Sequence, residues 1–289
     1  MPGISTMCPN LRRQFVSVAV SFVLGCLLVE PTGLAFSQTA DERVWQQFLQ
    51  WLSTVPPADR PAPLFEQYQA RLLAEGISQA DANDQMAVIR QMLRTRTDGW
   101  RVMFNNIYSS QTPGFNTNPN ALLVSAVEGR KPGRALDVGM GQGRNAVFLA
   151  MKGWDVTGFD VSDEGLRIAQ RNAERAGVKL NAVLQSDEQF DFGAARWDLI
   201  VITYEPVPLT IASYVKKLSD SLRGGGLVVI ESFASESGSF NRRLVDVDPK
   251  QLRRAFESFR ILHFEETFAM PDWGNERTRL ARLIAEKKE

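Results

Sequence analysis

The chain has 289 residues, of which 44% are apolar and 23% are charged. This length allows one large domain or two small ones, and the composition is that of a globular protein with ample core. Basic and acidic residues both number 33, so the net charge is zero. Because no overall field would favour nucleic acid or an acidic partner, we expect no nucleic-acid partner.

Residues 1–37 have the pattern of a leader segment. An arginine pair precedes an apolar run over residues 15–29, which is short for a membrane span and typical of a signal-peptide core. The small residues Ala35 and Ser37 would allow cleavage before Gln38. The leader is therefore predicted to be a signal peptide or a membrane anchor, and the protein to be exported or membrane-anchored in a bacterium.

Three alternatives to secretory cleavage stay open. The stretch Val23-Leu24-Gly25-Cys26 loosely matches a lipobox, in which Cys26 would carry the lipid, although the residues after it stay apolar. The leader could also be retained as an uncleaved anchor, which would attach the protein to a membrane. A misassigned start codon would instead make the protein cytoplasmic.

Cysteine and histidine are too scarce for several kinds of site. Both cysteines, Cys8 and Cys26, lie in the leader, and the single histidine is His263. Cleavage would leave no disulfide, no thiolate ligand and no cysteine nucleophile. With one histidine, the usual zinc sites and a Ser-His-Asp triad are not expected, so we predict no metal.

Residues 38–130 are predicted to form a helical N-terminal segment. The proline-rich stretch PPADRPAP interrupts this pattern, and the turn-rich residues 108–120 precede a short helix over 121–128. Apolar residues recur at helical spacing in three groups: Val44, Phe48 and Trp51; Leu64, Tyr68 and Leu72; Met86, Ile89 and Leu93. We expect this segment to pack on the domain that follows.

Residues 131–289 are predicted to form an α/β domain. Helices are expected over 145–152, 162–176, 210–222 and 249–259. Strands are expected over 135–138, 155–159, 180–184, 197–203, 227–233, 260–267 and 279–286. This alternation predicts a mostly parallel sheet covered on both faces. The last two strands lack a helix between them, so they should form an antiparallel hairpin at the sheet edge.

The stretch ALDVGMGQGRNAVFLA, residues 135–150, places three glycines between the first strand and a helix. Glycine lets backbone approach a ligand, and the helix N-terminus adds free N–H groups and the positive end of the dipole. Dinucleotide folds use the spacing G-x-G-x-x-G for this purpose. Here the glycines are Gly139, Gly141 and Gly143, and Arg144 stands where the third dinucleotide glycine would pack closely. The spacing therefore disfavours a dinucleotide.

Three acidic residues mark the expected ligand edge of the sheet. Asp137 lies in the first strand, Asp160 ends the second, and Asp187 follows the third. An acidic residue at the end of the second strand can take both ribose hydroxyls. A carboxylate beside the glycine turn would repel a pyrophosphate and attract an ammonium group. The predicted ligand therefore has a ribose, an adenine and a cationic amino-acid end.

The stretches ALDVGMGQGRNAVFLA and GWDVTGFDVS resemble the class I S-adenosylmethionine-dependent methyltransferases. GQGRNAVFLA is most similar to the small-molecule branch that includes the tellurite-resistance and thiopurine-type enzymes. The resemblance covers about residues 134–287. It implies a Rossmann-like fold with a seven-stranded, mostly parallel sheet and an antiparallel last strand. It also implies S-adenosyl-L-methionine as cofactor and a small-molecule methyl acceptor.

The resemblance also assigns roles to individual residues. Tyr204 and Glu205 end the fourth strand, where this family places substrate-facing residues, and are the candidate catalytic residues. Asp137 and the three glycines would hold the methionine end of the cofactor, Asp160 the ribose, and the remaining residues the adenine. The implied cofactor-binding set is Asp137, Gly139, Gly141, Gly143, Asp160, Val161, Ser186 and Asp187.

The expected reaction is an in-line displacement that depends mainly on proximity and orientation. Only Glu205, Tyr204 and His263 offer themselves as general bases, which favours a soft or already ionised acceptor such as a thiol, selenol or metalloid anion. Two alternatives remain. One is a nicotinamide-dependent oxidoreductase, which the glycine spacing and Asp137 disfavour. The other is a non-catalytic nucleoside-binding protein, since an exported enzyme would lack a donor made in the cytoplasm.

Overall fold

The computed structural model describes residues 39–58, 61–235, 246–274 and 276–289. These residues belong to one compact unit, Gln38–Glu289. The signal peptide, lipobox and anchor predicted for residues 1–37 lie outside the described residues. Within the described part, no helix is both long enough and apolar enough to cross a bilayer.

The N-terminal segment is helical, as predicted. Its helices are α1 (Ala40–Leu52), α2 (Pro61–Ala74), α3 (Gln79–Thr95) and α4 (Asp98–Tyr108). In α1 the buried stripe consists of Trp45, Phe48 and Leu52, whereas Val44 and Trp51 flank it half-buried. The stripe is thus centred about one residue further along the chain than the sequence suggested.

The predicted Rossmann-like sheet is confirmed. Its strands are β1 (Arg134–Val138), β2 (Asp155–Asp160), β3 (Asn181–Leu184), β4 (Trp197–Thr203), β5 (Leu222–Ala234), β6 (Asp246–Val247), β7 (Arg260–Ala269) and β8 (Thr278–Glu286). The order is β3-β2-β1-β4-β5-β8-β7. The first five strands run parallel, and β8 lies antiparallel between β5 and β7. These seven strands are the ones expected from the sequence.

The structure differs from the prediction at two places along β5. The strand begins at Leu222 rather than residue 227, because the chain already pairs with β4 before the RGGG stretch, in which Gly225 has a left-handed φ of 74°. Leu222 pairs with Trp197 and Leu227 with Leu199, so the glycines form an irregularity between the two pairs. The two-residue strand β6 pairs with the far end of β5 and carries too few residues to show a sequence pattern.

Helices cover both faces of the sheet and the segment α1–α4 packs at its carboxyl edge. The helices of the α/β part are α5 (Ala121–Val127), α6 (Arg144–Met151), α7 (Asp163–Arg175), α8 (Ala212–Ser221) and α9 (Pro249–Ala255). One core contains side chains of α8 and α9, and a second contains those of α5, α6 and α7. The core of α1–α4 includes Tyr204, Phe233 and Leu280, which follow β4 or lie near strand ends. The helical segment therefore meets the sheet where a ligand would bind.

Polar contacts fix α4 on the N-terminus of α7. The Asn105 amide donates to Asp163 Oδ1 at 2.8 Å, and Ser162 Oγ donates to Asn105 Oδ1 at 2.7 Å. Ser162 Oγ also caps α7 by accepting the Gly165 N–H at 2.9 Å. Because Ser162 closely follows the end of β2, this contact sets the distance between α4 and the carboxyl edge of β2.

Replacing Gly99 by alanine should destabilise the protein, although alanine normally favours a helix by about 0.8–1.0 kcal/mol over glycine. A Cβ at Gly99 would overlap the Trp45 indole ring and approach Leu93 Cδ2 to 2.9 Å. Overpacking typically costs about 1–3 kcal/mol. We therefore expect a lower free energy of unfolding, measured by urea denaturation.

The control is the same substitution in a Trp45→Phe background. Phenylalanine lacks the distal indole atoms that the new Cβ would meet, so Gly99→Ala should cost less there. An equal cost in both backgrounds would show that the Gly99–Trp45 approach does not limit the size of residue 99.

Candidate active site

The glycine turn connects β1 to α6 through left-handed backbone. The φ angles of Gly139, Gly141 and Gly143 are 64°, 51° and 77°, a region in which a Cβ is strained. The Met140 N–H donates to the Phe159 carbonyl at 2.9 Å and so ties the turn to β2. A Cβ at Gly143 would come within 2.8 Å of Ala169 Cβ in α7. The third glycine thus permits close packing of α7 against the turn, whereas Gly139 and Gly141 line a crevice.

Asp160 links the turn to the start of α7 and lines the same crevice. Its Oδ2 accepts the Gly141 N–H at 2.8 Å, and its Oδ1 accepts the Ser162 N–H at 2.7 Å. Burial raises the pKa of the Asp160 carboxyl, and the backbone N–H donors oppose that rise. The Val161 N–H is a third backbone donor to this carboxylate. Two carboxylate oxygens have about four lone pairs, so the group keeps one for a ligand hydroxyl.

Asp137 lies within β1 just before the turn and is 2% exposed. Its Oδ2 has no hydrogen-bond partner among the described residues. Burial raises the pKa of Asp137 to about 7, although Arg144 and a backbone hydrogen bond from Ala146 lower it. A buried polar atom without a partner is costly. Asp137 is not among the residues that line the crevice, so this oxygen lies behind the turn, and a ligand donor such as an ammonium group would have to reach it there.

Glu205 brings a third carboxylate to the turn. A Cβ added to Gly139 would overlap its carboxylate, so that group lies directly over the glycine. The pKa of Glu205 is held well above its ordinary value, mainly by burial. Repulsion from Asp160, Asp187 and Asp137 raises it further. Glu205 lines the crevice, and its catalytic role stays a prediction.

Tyr204 contributes its ring to the crevice wall, but its hydroxyl group is held by other residues. The hydroxyl donates to Glu231 Oε1 at 2.5 Å and accepts the Asp272 N–H at 3.2 Å. Burial and the Glu231 carboxylate raise its pKa, so the hydroxyl stays protonated and does not serve as a base. Its φ of 59° is unusual for a residue with a side chain and marks local strain at the end of β4.

The structure places Ser186 and Asp187 outside the crevice lining, unlike Val161, which lies in it. Asp187 Oδ1 accepts the Tyr214 hydroxyl at 2.7 Å, and its Oδ2 pairs with Lys217 at 3.2 Å. Ser186 Oγ donates to Glu188 at 3.0 Å. Asp187 thus faces α8 because that helix offers it a donor and a cation, and the adenine contact of both residues stays a prediction.

Two loops meet above the turn and form what we call the strap, residues 114–120 and 271–274. Phe115 and Trp273 form an antiparallel bridge between them. The Asn116 N–H also donates to the Asp272 carbonyl at 2.7 Å. The strap joins the end of the helical segment to the β7–β8 connection.

Arg144 fastens the strap to the glycine turn. Its guanidinium pairs with Asp272 Oδ2 at 2.8 Å and donates to the Asn118 carbonyl at 3.0 Å. Asn120 donates to the same Asp272 oxygen at 2.6 Å and to Glu231 at 2.9 Å. The residue that replaces the dinucleotide glycine is therefore a structural link, and its charge is matched by Asp272.

Four aromatic side chains from α4 and the strap form an aromatic wall of the crevice: Phe104, Tyr108, Phe115 and Trp273. Ring centroids are 4.9 Å apart for Tyr108 and Phe115, and 5.2 Å for Phe115 and Trp273. The Tyr108 hydroxyl reaches the turn, where it would overlap a Cβ at Gly141 and where Gln142 gives it a backbone hydrogen bond. The helical segment thus supplies part of the site.

Sequence reasoning missed Asp272 and Trp273 as site residues. The only signal was an acidic residue and a tryptophan in the turn-rich stretch AMPDWGNE, far along the chain from the glycines. His263 lies half-exposed on β7, 3.6 Å from Glu265 and outside the crevice lining. Among the described residues, no cluster of His, Cys, Asp or Glu could hold a metal ion.

Residues 135–226 match a family described as "Methyltransferase domain". The chain is similar to the probable S-adenosyl-L-methionine-dependent methyltransferase TehB of Haemophilus influenzae, with 26% identity over 114 residues, 37% of this chain and 38% of the relative. It is also 40% identical over 63 residues to the ribosomal RNA small subunit methyltransferase C of Alcanivorax borkumensis, 21% of this chain and 19% of the relative.

A solved structure agrees with the fold. The crystal structure of TehB from Haemophilus influenzae superposes with a TM-score of 0.50 and 19% identity, covering 65% of this chain and 67% of that one. The chain spans less than half the length of the curated relatives it matches, 38% of TehB. Residues 135–226, which match the family, contain the glycine turn and the ends of β2 and β4.

Replacing Asp137 by asparagine should flatten the pH dependence of stability. A carboxyl with a pKa near 7 in the folded protein and about 3.9 unfolded contributes stability below pH 4 that is lost as the pH rises through 7. The unsubstituted protein should therefore lose up to about 1.4 kcal/mol per pH unit more than Asp137→Asn across this window.

Urea denaturation of the ligand-free protein at intervals between pH 5 and pH 8 measures this difference. Asp84→Asn, on the exposed face of α3, is the matched control and should keep the slope of the parent. Parallel profiles for Asp137→Asn and the parent would contradict a buried, perturbed Asp137.

Proposed function

We propose that the domain that begins at Arg134 is a class I S-adenosylmethionine-dependent methyltransferase and that it methylates a small-molecule acceptor. The observation that carries the proposal is the crevice at the glycine turn, which Gly139, Gly141 and Asp160 line. Behind the turn, the buried Oδ2 of Asp137 has no partner among the described residues, so the two carboxyl groups offer acceptors for a ribose and an ammonium group.

The residues that would hold S-adenosylmethionine lie at the ends of β1 and β2. Gly139, Gly141 and Asp160 line the crevice, and Asp137 has an unpartnered oxygen behind the turn. The Glu205 carboxylate lies over Gly139 and the Tyr108 hydroxyl over Gly141, so a cofactor bound there would displace both side chains. Val161 lies beside Asp160 in the crevice and would flank the adenine. When bound, S-adenosylmethionine supplies a methyl group on a sulfonium, and the acceptor's lone pair forms the new carbon bond as the carbon–sulfur bond breaks and leaves its electron pair on sulfur.

The chain's own contribution to this reaction is orientation and proton acceptance. An in-line transfer is accelerated most by holding the acceptor atom, the methyl carbon and the sulfur close together and in a straight line. The strained Tyr204 and the strap that Arg144 fastens form rigid walls for this purpose. Glu205 lies over Gly139 and, in its ionised form, would take the proton that the acceptor loses. Burial raises its pKa, which strengthens the carboxylate as a base and also favours the protonated form that cannot act as one.

The charge of the crevice supports a small acceptor rather than a nucleic acid. Affinity for RNA or DNA comes mainly from basic side chains that neutralise phosphates. Asp160, Glu205 and Asp272 line this crevice, and its Arg144 is already paired. The same carboxylates count against a nicotinamide dinucleotide, whose pyrophosphate would lie beside Glu205 and Asp160.

Equilibrium binding of S-adenosylhomocysteine, measured by titration calorimetry, tests the cofactor assignment. We expect the parent protein to bind it and Asp160→Asn to bind it about 10- to 100-fold more weakly, because a hydrogen bond to a charged group is worth roughly 1.5–3 kcal/mol. Asp155→Asn, at the other end of β2 and exposed, is the matched control and should bind like the parent.

Titration with NADH is the comparison that separates the two nucleotide classes. The parent should show no saturable binding of NADH under conditions where S-adenosylhomocysteine binds. Absence of S-adenosylhomocysteine binding by the parent would remove the methyltransferase proposal, and binding of NADH alone would favour the oxidoreductase.

We also propose that the leader exports the chain or anchors it to the membrane of a bacterium. The arginine pair and the apolar run over residues 15–29 support this. N-terminal sequencing and mass measurement of the protein from its native host should find Gln38 first, or a lipid on Cys26. An unprocessed Met1 in the cytoplasmic fraction would contradict export. Secretory cleavage would itself weigh against methyl transfer, since the donor is made in the cytoplasm.

A further inference from the structure

We propose that the acceptor is a flat aromatic molecule that is uncharged or cationic, and that the crevice excludes anions. This inference rests on the proposed function, because it names the substrate class of the same site. The part of the crevice concerned, which we call the acceptor side, lies between the end of β4 at Tyr204 and Glu205, the strap residues Asp272 and Trp273, and Phe104.

The balance of charge on the crevice wall is the first argument. Three carboxyl side chains line it, from Asp160, Glu205 and Asp272, against one basic side chain, Arg144. Arg144 is committed, with Asp272 at 2.8 Å and the Asn118 carbonyl at 3.0 Å. An anionic acceptor would therefore give up its hydration without gaining a free cation from the described lining residues. An uncharged or cationic molecule avoids this cost.

The aromatic wall is the second argument. Phe104 lies 6.0 Å from Trp273 between ring centroids, and Phe115 lies 5.2 Å from Trp273. Such rings gain most from flat aromatic partners in offset or edge contact, and their faces attract cations. The indole N–H of Trp273 is buried and has no partner among the described residues, so it can donate to a neutral ligand oxygen or nitrogen.

The third argument concerns the proton of the acceptor. The sequence analysis favoured a soft or already ionised acceptor, because it offered few candidate general bases. The structure brings Glu205 over Gly139 at the end of β4. An amine, ring N–H or phenol can therefore form its bond to the methyl carbon and pass its proton to Glu205, so a nucleophile ionised beforehand is not needed.

Three probes of nearly equal shape test the inference by binding, independently of turnover. They are 2-naphthoate, 2-naphthamide and 2-naphthylmethylammonium, each titrated into the full chain with and without saturating S-adenosylhomocysteine and followed by NMR. We expect the amide and the ammonium to bind at least about tenfold more tightly than the carboxylate.

Two variants test whether Asp272 and Glu205 cause the expected order of affinity of the three probes. Asp272→Asn removes the charge that matches Arg144, so binding of 2-naphthoate should improve about tenfold. Glu205→Gln, for which the structure shows no hydrogen bond to disturb, should reduce the preference for the ammonium over the amide. Asp155→Asn, remote from the crevice, should leave the order of the three probes unchanged.

The outcomes separate this inference from the proposed function. If 2-naphthoate binds the parent as tightly as the amide, or if both variants keep the parent's order, the acceptor class is wrong even when S-adenosylhomocysteine binds. If S-adenosylhomocysteine fails to bind, the methyltransferase proposal falls, while the titrations without it still decide the charge preference of the crevice.

Discussion

The convergence of buried carboxylates on one glycine turn is the constraint on which the rest of the site depends. Asp137, Asp160 and Glu205 approach the turn from β1, β2 and the end of β4, and burial raises the pKa of each. Burial of three like-charged groups opposes folding unless they take up protons or meet donors. A ligand with a positive charge removes that cost, so the same residues that weaken the fold favour the binding of a sulfonium nucleoside.

The crevice is completed by parts of the chain outside the sheet. Asn105 and Ser162 dock α4 on α7, which brings Tyr108 to the turn. The strap then brings Phe115 and Trp273 together from positions more than half the chain apart. The helical segment is thus a wall of the site, and a Rossmann-like domain without it would lack most of the aromatic surface.

Arg144 shows how one departure from a motif can serve a different structure. In a dinucleotide fold a glycine at this position lets the helix pack closely on the sheet. Here the close packing belongs to Gly143 against Ala169, and the arginine side chain is free to pair with Asp272. The pairing of Arg144 with Asp272 fixes the strap over the turn. It also occupies the basic side chain that, among the described lining residues, an anionic ligand could have used.

Spacing along the chain was enough to predict the order of helices and strands, the glycine turn and the acidic residues at the ends of β1 and β2. These features depend on local spacing, and parallel strands necessarily bring their carboxyl ends to one edge. The contacts of Asp187 with Tyr214 and Lys217, of the Tyr204 hydroxyl with Glu231 and of Asp272 with Arg144 became visible only in the folded chain. Such pairings depend on which side chains the folded chain places within a few ångströms, and no spacing along the sequence encodes that distance.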